Sequence, residues 1–167
     1  MLITISGLPA TGKTTLARLL AARIGAVHLR VDTIEQAIVR SGVTRHPVGP
    51  VGYLVGYALA EEHLRQGLTV LAESVNPLTI TRDAWRDTAV RAGVPAVEVE
   101  IVCSDPDEHR RRVASRSVDI PDLPLPDWEQ VVGREYEPWN RDRIVVDTVG
   151  QGPEDSLASL LKALPGR

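Results

Sequence analysis

Residues 7–14 read Gly7-Leu8-Pro9-Ala10-Thr11-Gly12-Lys13-Thr14 and match the pattern G-x-x-x-x-G-K-[ST] at every fixed position. Glycines at this spacing let successive backbone N–H groups point inward around a phosphate, and a following helix presents its positive end to the same anion. The motif stands between the β-like run 2–6 and the helical pattern 13–24. We therefore predict a phosphate-binding loop rather than a turn that only connects a strand to a helix.

The same residues predict a site for a nucleoside triphosphate and a magnesium ion. Lys13 would neutralise oxygens of the β- and γ-phosphates, and the hydroxyl of Thr14 would bind Mg²⁺. The expected nucleotide-binding residues are Gly7, Leu8, Pro9, Ala10, Thr11, Gly12, Lys13, Thr14 and Thr15. ATP and Mg²⁺ are the expected cofactors, with the choice between ATP and GTP left open. Because Cys103 is the single cysteine, oxygen atoms would hold the metal.

Short β-branched runs alternate with longer segments of helical period, which predicts an α/β fold. The expected strands cover residues 2–6, 27–31, 68–73, 97–103 and 144–147. The expected helices cover residues 13–24, 33–41, 51–66, 79–92, 106–116, 128–137 and 153–163. Several of the strands are continuous apolar runs, as in a parallel sheet buried on both faces. We therefore expect a five-stranded parallel sheet within one domain spanning residues 1–167.

The composition restricts the partners of this chain. Its 167 residues include 19 Lys and Arg against 22 Asp and Glu, so the net charge of −3 does not favour nucleic acid or an anionic membrane. The longest apolar run, residues 51–60, is too short to span a bilayer. Residues 1–7 lack the basic segment of a signal peptide. We expect a cytoplasmic protein without membrane partners, either a monomer or a homodimer.

An acidic residue follows the second predicted strand. Open parallel sheets bind ligands beyond the carboxyl ends of their strands, and Asp32 stands at that position. A carboxylate there can orient an acceptor hydroxyl and take its proton, which makes Asp32 the candidate base and an acceptor-binding residue. The alternative is local, because Asp32 and Glu35 also match a capping box in which Asp32 would only cap a helix.

Other candidates for acceptor binding follow the predicted strands or lie between the second and third of them. Besides Asp32, they are Glu73, Asn76, Arg82, Arg45 and Tyr53. Glu73 could instead contact the water shell of Mg²⁺, face solvent or pair with an arginine. Arg82 could instead close a structural salt bridge. Tyr53 and Tyr57 are four residues apart on one helix face and could be core residues.

The predicted helix 106–116 contains several arginines, and their spacing places them on different faces of the helix. Arg112 and Arg116 are four residues apart and share a face, whereas Arg111 points elsewhere. Guanidinium groups suit the charge on a transferring phosphoryl group, although a solvated basic face would show the same residues. The candidate catalytic residues are therefore Asp32, Lys13, Arg112 and Arg116.

A proline-rich stretch follows this helix. Residues 118–126 carry three prolines and have no helix or strand period, which predicts an exposed loop that can rearrange. Closure of such a loop over a site excludes water from the reaction. We therefore expect a lid over about residues 110–127.

Four further stretches carry a resemblance to a known family. They are HLRVDTIEQAI (residues 28–38), LAESVNPLTITRDAW (71–85), DPDEHRRRVASR (105–116) and EYEPWNRDRIVVDT (135–148). Together with the phosphate-binding loop, they resemble the AAA-33-type ATP-binding kinases. Those proteins are similar to chloramphenicol phosphotransferases, adenylylsulfate kinases, gluconate kinases and polynucleotide kinases. The resemblance covers nearly the whole chain and implies a three-layer P-loop NTPase fold with a lid.

The resemblance also implies roles for particular residues. In the similar kinases, an Asp in a V-D-[ST]-[IL] setting after the second strand acts as the base, and Val31-Asp32-Thr33-Ile34 matches that setting. A lid helix there carries arginines to ATP, and the matching positions are Arg112 and Arg116. The expected function is ATP- and Mg²⁺-dependent phosphorylation of a hydroxyl on a small molecule, such as a metabolite or an antibiotic.

Two other functions stay open. The acceptor could be a nucleoside, a nucleotide or the 5′-hydroxyl of a polynucleotide, although the acidic balance and the 4% of aromatic residues disfavour a nucleic-acid channel. The chain could also be an ATP-binding regulatory switch that transfers phosphate to no acceptor. A water-positioning Gln and a switch segment would mark such a protein, and the sequence has no clear example of either.

Overall fold

A parallel sheet of five strands forms the centre of the computed structural model, which describes residues 1–117 and 119–165. The strands are β1 (Leu2–Ser6), β2 (Val27–Arg30), β3 (Val70–Glu73), β4 (Ala96–Val102) and β5 (Ile144–Asp147). Their order across the sheet is β2-β3-β1-β4-β5. In this register Glu73, at the end of β3, lies between Ile5 of β1 and Arg30 of β2. The sheet therefore brings the ends of three strands to one place.

Helices cover both faces of the sheet. They are α1 (Lys13–Ile24), α2 (Val31–Arg40), α3 (Val51–Arg65), α4 (Thr79–Arg91), α5 (Pro106–Ser115), α6 (Trp128–Val132) and α7 (Pro153–Ala163). Successive strand residues point to opposite faces, so Ile3 joins one core cluster with Leu16 and Leu160, and Leu2 joins another with Leu64. The predicted α/β fold with three layers and a five-stranded parallel sheet is confirmed.

Several predicted boundaries differ from the structure by one or two residues, and the end of the sixth helix differs by five. The second strand ends at Arg30 and α2 begins at Val31, so the chain turns from strand to helix without the loop that we expected at residue 32. The sixth helix ends at Val132 instead of 137. Gly133 follows it, and the residues up to β5 are irregular because they are held by side chains of α4 and β4 rather than by helical hydrogen bonds.

The predicted lid spans helix and irregular structure. Residues 110–115 belong to α5, and residues 119–127 form no helix or strand. Val118, which the predicted lid includes, lies outside the described residues. In the part of the chain that the structure describes, none of the helices has both the length and the apolar composition needed to cross a membrane.

Arg82 has a structural role in this fold. Its guanidinium donates hydrogen bonds to four backbone carbonyl groups, those of Asn76, Pro77, Glu137 and Pro138. The side chain is 0% exposed and lies over the ring of Trp139 at 4.2 Å. The expectation that Arg82 binds the acceptor is therefore wrong, because its donors join the loop after β3 to the segment before β5. Arg82 has the structural role that was the alternative, but it binds carbonyl groups instead of forming a salt bridge with a carboxylate.

We expect the substitution Arg82→Met to lower the free energy of unfolding by at least about 3 kcal/mol, because it leaves several buried carbonyl groups without donors. Urea denaturation measures this difference. Arg86→Met is the matched control, because Arg86 is exposed one turn later on α4 and its loss should change stability by about 0.5 kcal/mol or less. Similar stabilities of the two variants would contradict the structural role of Arg82.

Candidate functional site

A cleft with a volume of about 1070 Å³ opens at the carboxyl ends of the strands. The phosphate-binding loop, the start of α2, the end of β3, the end of α5 and residues 123–126 contribute to its walls. Ligands of open parallel α/β sheets bind at this edge because strands and helices meet there in loops. The cleft is therefore the candidate active site.

The phosphate-binding loop has a backbone that requires glycine. Gly7 has a φ of +138°, and a Cβ on it would lie 2.2 Å from the carbonyl oxygen of Ile101. Gly12 has a φ of +99° and precedes α1 without a side-chain cap. The hydroxyl of Thr11 donates to the carbonyl of Leu8 at 2.9 Å and so supports the turn. The loop can therefore approach β4 closely, in a conformation suited to binding an anion through backbone N–H groups before α1.

Lys13 is buried at the floor of this loop. Its ammonium donates to the carbonyl of Leu8 at 2.7 Å. Burial lowers the pKa of Lys13 to about 8, although the negative charges of Glu73 and Asp32 act in the opposite direction. A phosphate in the loop would favour the charged ammonium, as the predicted role of Lys13 requires.

Glu73 is buried beside the loop and joins three elements. Its carboxylate accepts hydrogen bonds from the hydroxyl of Thr14 and from Nε2 of His28, the latter at 2.8 Å, and Nε of Arg30 lies 3.6 Å away. Burial alone would raise the pKa of Glu73, but these hydrogen bonds and the charges of Lys13 and Arg30 lower it below its ordinary value. The alternative of a carboxylate facing solvent is wrong, whereas the pairing with an arginine is present.

Asp32 lies in the first turn of α2 and lines the cleft. Its side chain is 35% exposed, and Oδ2 lies 3.6 Å from Nη2 of Arg30. Arg30 occupies the N-cap position of α2, and no side-chain cap hydrogen bond forms there. The capping-box alternative for Asp32 and Glu35 is therefore wrong. The carboxylate of Asp32 is available to a ligand in the cleft.

Glu35 lies one helical turn after Asp32 and lines the same cleft. Its Cγ packs against the backbone of Gly52 in α3. A Cβ on Gly52 would lie only 2.3 Å from this Cγ, so a larger residue would fit at position 52 only if Glu35 moved. Burial, with a contribution from the charge of Asp32, raises the pKa of Glu35 to about 7 against the opposing charge of Arg134. The sequence indicated Glu35 only as a capping partner, because its burial depends on α3.

Arg112 and Arg116 both line the cleft, as their spacing predicts, and Arg111 does not. Arg112 donates to the hydroxyl and the carbonyl of Thr148 at 2.7 and 2.8 Å, and to Glu108 at 2.5 Å. Thr148 in turn donates to the carbonyl of Thr11. The positive charge of Arg116 acts on Lys13. The end of α5 therefore adds cationic groups to the side of the cleft that the phosphate-binding loop forms.

Three other predicted acceptor residues do not line the cleft. Asn76 is 1% exposed and has a φ of +51°, and its side-chain amide donates to the hydroxyl of Ser6. Tyr53 accepts a hydrogen bond from the backbone N–H of Asn76 and packs against Tyr57, as the core alternative predicts. Arg45 is exposed, and its neighbour His46 reaches the cleft instead. Acceptor binding by these three residues is not supported.

Comparison with known proteins identifies the family to which this chain belongs. Residues 2–134 match the model of the AAA_33 family, described as an AAA domain. The chain belongs to this family, and with its five-stranded sheet it has the three-layer P-loop fold. The resemblance seen in the sequence is thus confirmed. No curated protein has a matching sequence.

Solved structures share this fold at low sequence identity. A candidate kinase from Chloroflexus aurantiacus has 22% identity and a TM-score of 0.74, and 98% of each chain is covered. A sugar kinase from Janibacter sp. HTCC2649 has 16% identity and a TM-score of 0.71, with 96% of this chain and 92% of that chain covered. Kti12 from Chaetomium thermophilum in complex with ADP-AlF3 has 21% identity and a TM-score of 0.71, with 99% and 100% covered.

The pKa of Glu35 predicts a pH-dependent stability. Since burial raises that pKa from 4.5 to about 7, the native state binds more protons than the unfolded chain between these values, and the stability that Glu35 contributes falls as pH rises. We expect the difference in melting temperature between Glu35→Gln and the unmodified chain to become more positive from about pH 5 to about pH 8. Thermal unfolding across this range measures it.

The exposed Glu62 of α3 offers a control for the loss of one negative charge. Glu62→Gln is measured in parallel with Glu35→Gln at each pH. A melting-temperature difference for Glu35→Gln that stays constant with pH, or changes only as much as that of Glu62→Gln, would contradict the burial of an ionisable Glu35.

Proposed function

We propose that this chain is an ATP-dependent phosphotransferase that phosphorylates a hydroxyl group of a small molecule. The observation that carries the proposal is the position of Asp32. Its carboxylate lines the same cleft as the phosphate-binding loop, has no capping partner, and is close enough for its charge to act on Lys13. A base and a phosphate site on the two sides of one cleft are what transfer between bound partners requires.

The residues present fit ATP and Mg²⁺. The loop offers backbone N–H groups and the ammonium of Lys13 to phosphate oxygens, and the hydroxyl of Thr14 is an oxygen ligand of the kind that Mg²⁺ prefers. The hydroxyl of Thr14 donates a hydrogen bond to Glu73, which leaves the lone pairs of the hydroxyl oxygen free to bind a cation. When bound, ATP supplies the phosphoryl group and Mg²⁺ supplies positive charge at its phosphates.

Different side chains would have different roles in the reaction. Asp32 accepts the proton of the acceptor hydroxyl as the oxygen forms its bond to the γ-phosphorus and the bond from that phosphorus to the bridging oxygen of ADP breaks. Lys13, Arg112 and Arg116 stabilise the negative charge on the transferring group and on the leaving ADP. The products are a phosphate ester and ADP, and the proton remains on Asp32 until solvent removes it.

The charge of the cleft favours a neutral or cationic acceptor. Asp32 and Glu35 supply carboxylates on the side of the cleft that α2 forms, and the positive charge of Arg134 acts on Glu35 there. An acidic acceptor would meet repulsion there. Among the described residues that line the cleft, none is a Tyr or a Trp on which a base could stack. A nucleotide or polynucleotide acceptor is therefore the less favoured alternative.

Asp32→Asn should abolish phosphoryl transfer and leave ATP binding within about threefold of the unmodified chain, because it removes the base and not the phosphate site. Mass spectrometry of products from a panel of sugars, amino sugars, antibiotics, nucleosides and oligonucleotides, each with ATP and Mg²⁺, identifies the acceptor and measures transfer. Full activity of Asp32→Asn would rule out its role as the base. Transfer to no compound, with ATP bound, would favour the regulatory switch.

Lys13→Ala should reduce transfer by at least about 100-fold, since it removes a cation from the phosphates in the ground state and in the transition state. Calorimetric titration with ATP and steady-state kinetics separate the two effects. Lys162→Ala, on α7, is the matched control, because Lys162 does not line the cleft. Unchanged turnover of Lys13→Ala would contradict the assignment of the loop.

A further inference from the structure

The guanidinium of Arg30 lies where three parts of the candidate site meet. Arg30 is the last residue of β2 and is 7% exposed. Its Nη1 donates to Oδ2 of Asp119 at 2.6 Å, its Nε lies 3.6 Å from Oε1 of Glu73, and its Nη2 lies 3.6 Å from Oδ2 of Asp32. One cation thus faces the proposed base, the carboxylate that binds Thr14, and the irregular segment 119–126.

The donors of this guanidinium are not fully satisfied. Nε and Nη2 are buried and make no hydrogen bond with any residue that the structure describes. A buried charged donor without an acceptor is costly, and such groups concentrate at functional sites. The two carboxylates stand a few tenths of an ångström beyond hydrogen-bond distance. A small shift of Asp32 would satisfy Nη2, and a small shift of Glu73 would satisfy Nε.

Arg82 gives the contrast within the same chain. It is 0% exposed against 7% for Arg30, but its guanidinium donates to four carbonyl groups and does not line the cleft. Deep burial in this fold is therefore compatible with a guanidinium whose nitrogen atoms all donate hydrogen bonds. Arg30 instead directs two donors at carboxylates that line the cleft.

Arg30 keeps its charge in this position. Burial would lower the pKa of its guanidinium, but the hydrogen bond to Asp119 and the charges of Glu73 and Asp32 raise it above the ordinary value. Asp119 also receives a hydrogen bond from Arg18 of α1, whose side chain is 57% exposed. Asp119 therefore connects an exposed and a buried arginine, and only the buried one reaches the carboxylates.

We propose that Arg30 is a positioning residue for phosphoryl transfer: it orients the carboxylates of Asp32 and Glu73 and links their placement to Asp119. The inference rests on the proposed function. Arg30 acts through these neighbours, since it does not itself line the cleft. The fixed geometry of a guanidinium suits this role, because Nε and Nη2 can address two carboxylates at once while Nη1 holds a third.

The test compares Arg30→Gln, Arg30→Lys and Asp119→Asn with the unmodified chain, using the acceptor found by product mass spectrometry. We expect Arg30→Gln to lower kcat by about 10- to 100-fold and to leave the KM for ATP within about threefold, because a misplaced base slows transfer without weakening the phosphate site. Arg30→Lys should recover part of the lost kcat, since it keeps the charge without the fork. Equal losses in both variants would overturn the proposal.

The link to Asp119 is tested by a double-mutant cycle. If Arg30 and Asp119 act as one unit, the double variant Arg30→Gln/Asp119→Asn should lose less kcat than the product of the two single losses. Multiplicative losses would overturn the link. Arg65→Gln controls for loss of an arginine, because Arg65 lies exposed at the far end of α3 and pairs with Glu61 there. Its kcat should match that of the unmodified chain.

Stability and activity are measured on the same samples. Should Arg30→Gln fail to fold, Arg30→Lys and Asp119→Asn carry the test, and unchanged kcat in both would overturn the proposal. The variant Asp32→Asn distinguishes a failure of the proposed function from a failure of the role assigned to Arg30. Lost transfer in Asp32→Asn with full kcat in Arg30→Gln would overturn the role of Arg30 alone. Full activity of Asp32→Asn, or transfer to no acceptor, would overturn the proposed function and this inference with it.

Discussion

The buried carboxylate of Glu73 is the group on which the arrangement of the cleft depends. It stands at the end of β3 between β1 and β2, and it binds the hydroxyl of Thr14 and the ring of His28. A buried charge is tolerated only when partners compensate it, so each neighbour must keep its place. The loop, α1 and β2 are thereby tied to one carboxylate, and Arg30 adds the start of α2 to the same group.

This arrangement gives the cleft two chemically different sides. Lys13, Arg112 and Arg116 lie on the side of the phosphate-binding loop, whereas Asp32 and Glu35 lie on the side of α2. Parallel strands make such a division possible, because every β–α connection delivers its polar residues to the same edge of the sheet. Separated charges of opposite sign suit a reaction in which one partner carries phosphates and the other gives up a proton.

The sequence predicted the layers and the strand count because they follow from local patterns. Alternating β-branched runs and helical periods are visible without any knowledge of contacts, and the loop motif binds phosphate mainly through its own backbone. The helix face shared by Arg112 and Arg116 follows from their spacing in the same way. Arg82, Asn76 and Tyr53 do not line the cleft, because position along the chain does not tell whether a side chain turns toward the cleft or into the protein.

By itself, the sequence determined the α/β class, the phosphate-binding loop and the presence of an acid at position 32. Only the tertiary structure decided which polar residues meet. Arg30, Glu73 and Asp119 are 43 and more residues apart in sequence, and Glu35 packs against Gly52 of another helix. Local periodicity carries no information on such contacts, because they arise when strands pair and helices pack across the sheet. Burial and charge in the cleft depend on those contacts, and the proposed chemistry depends on both.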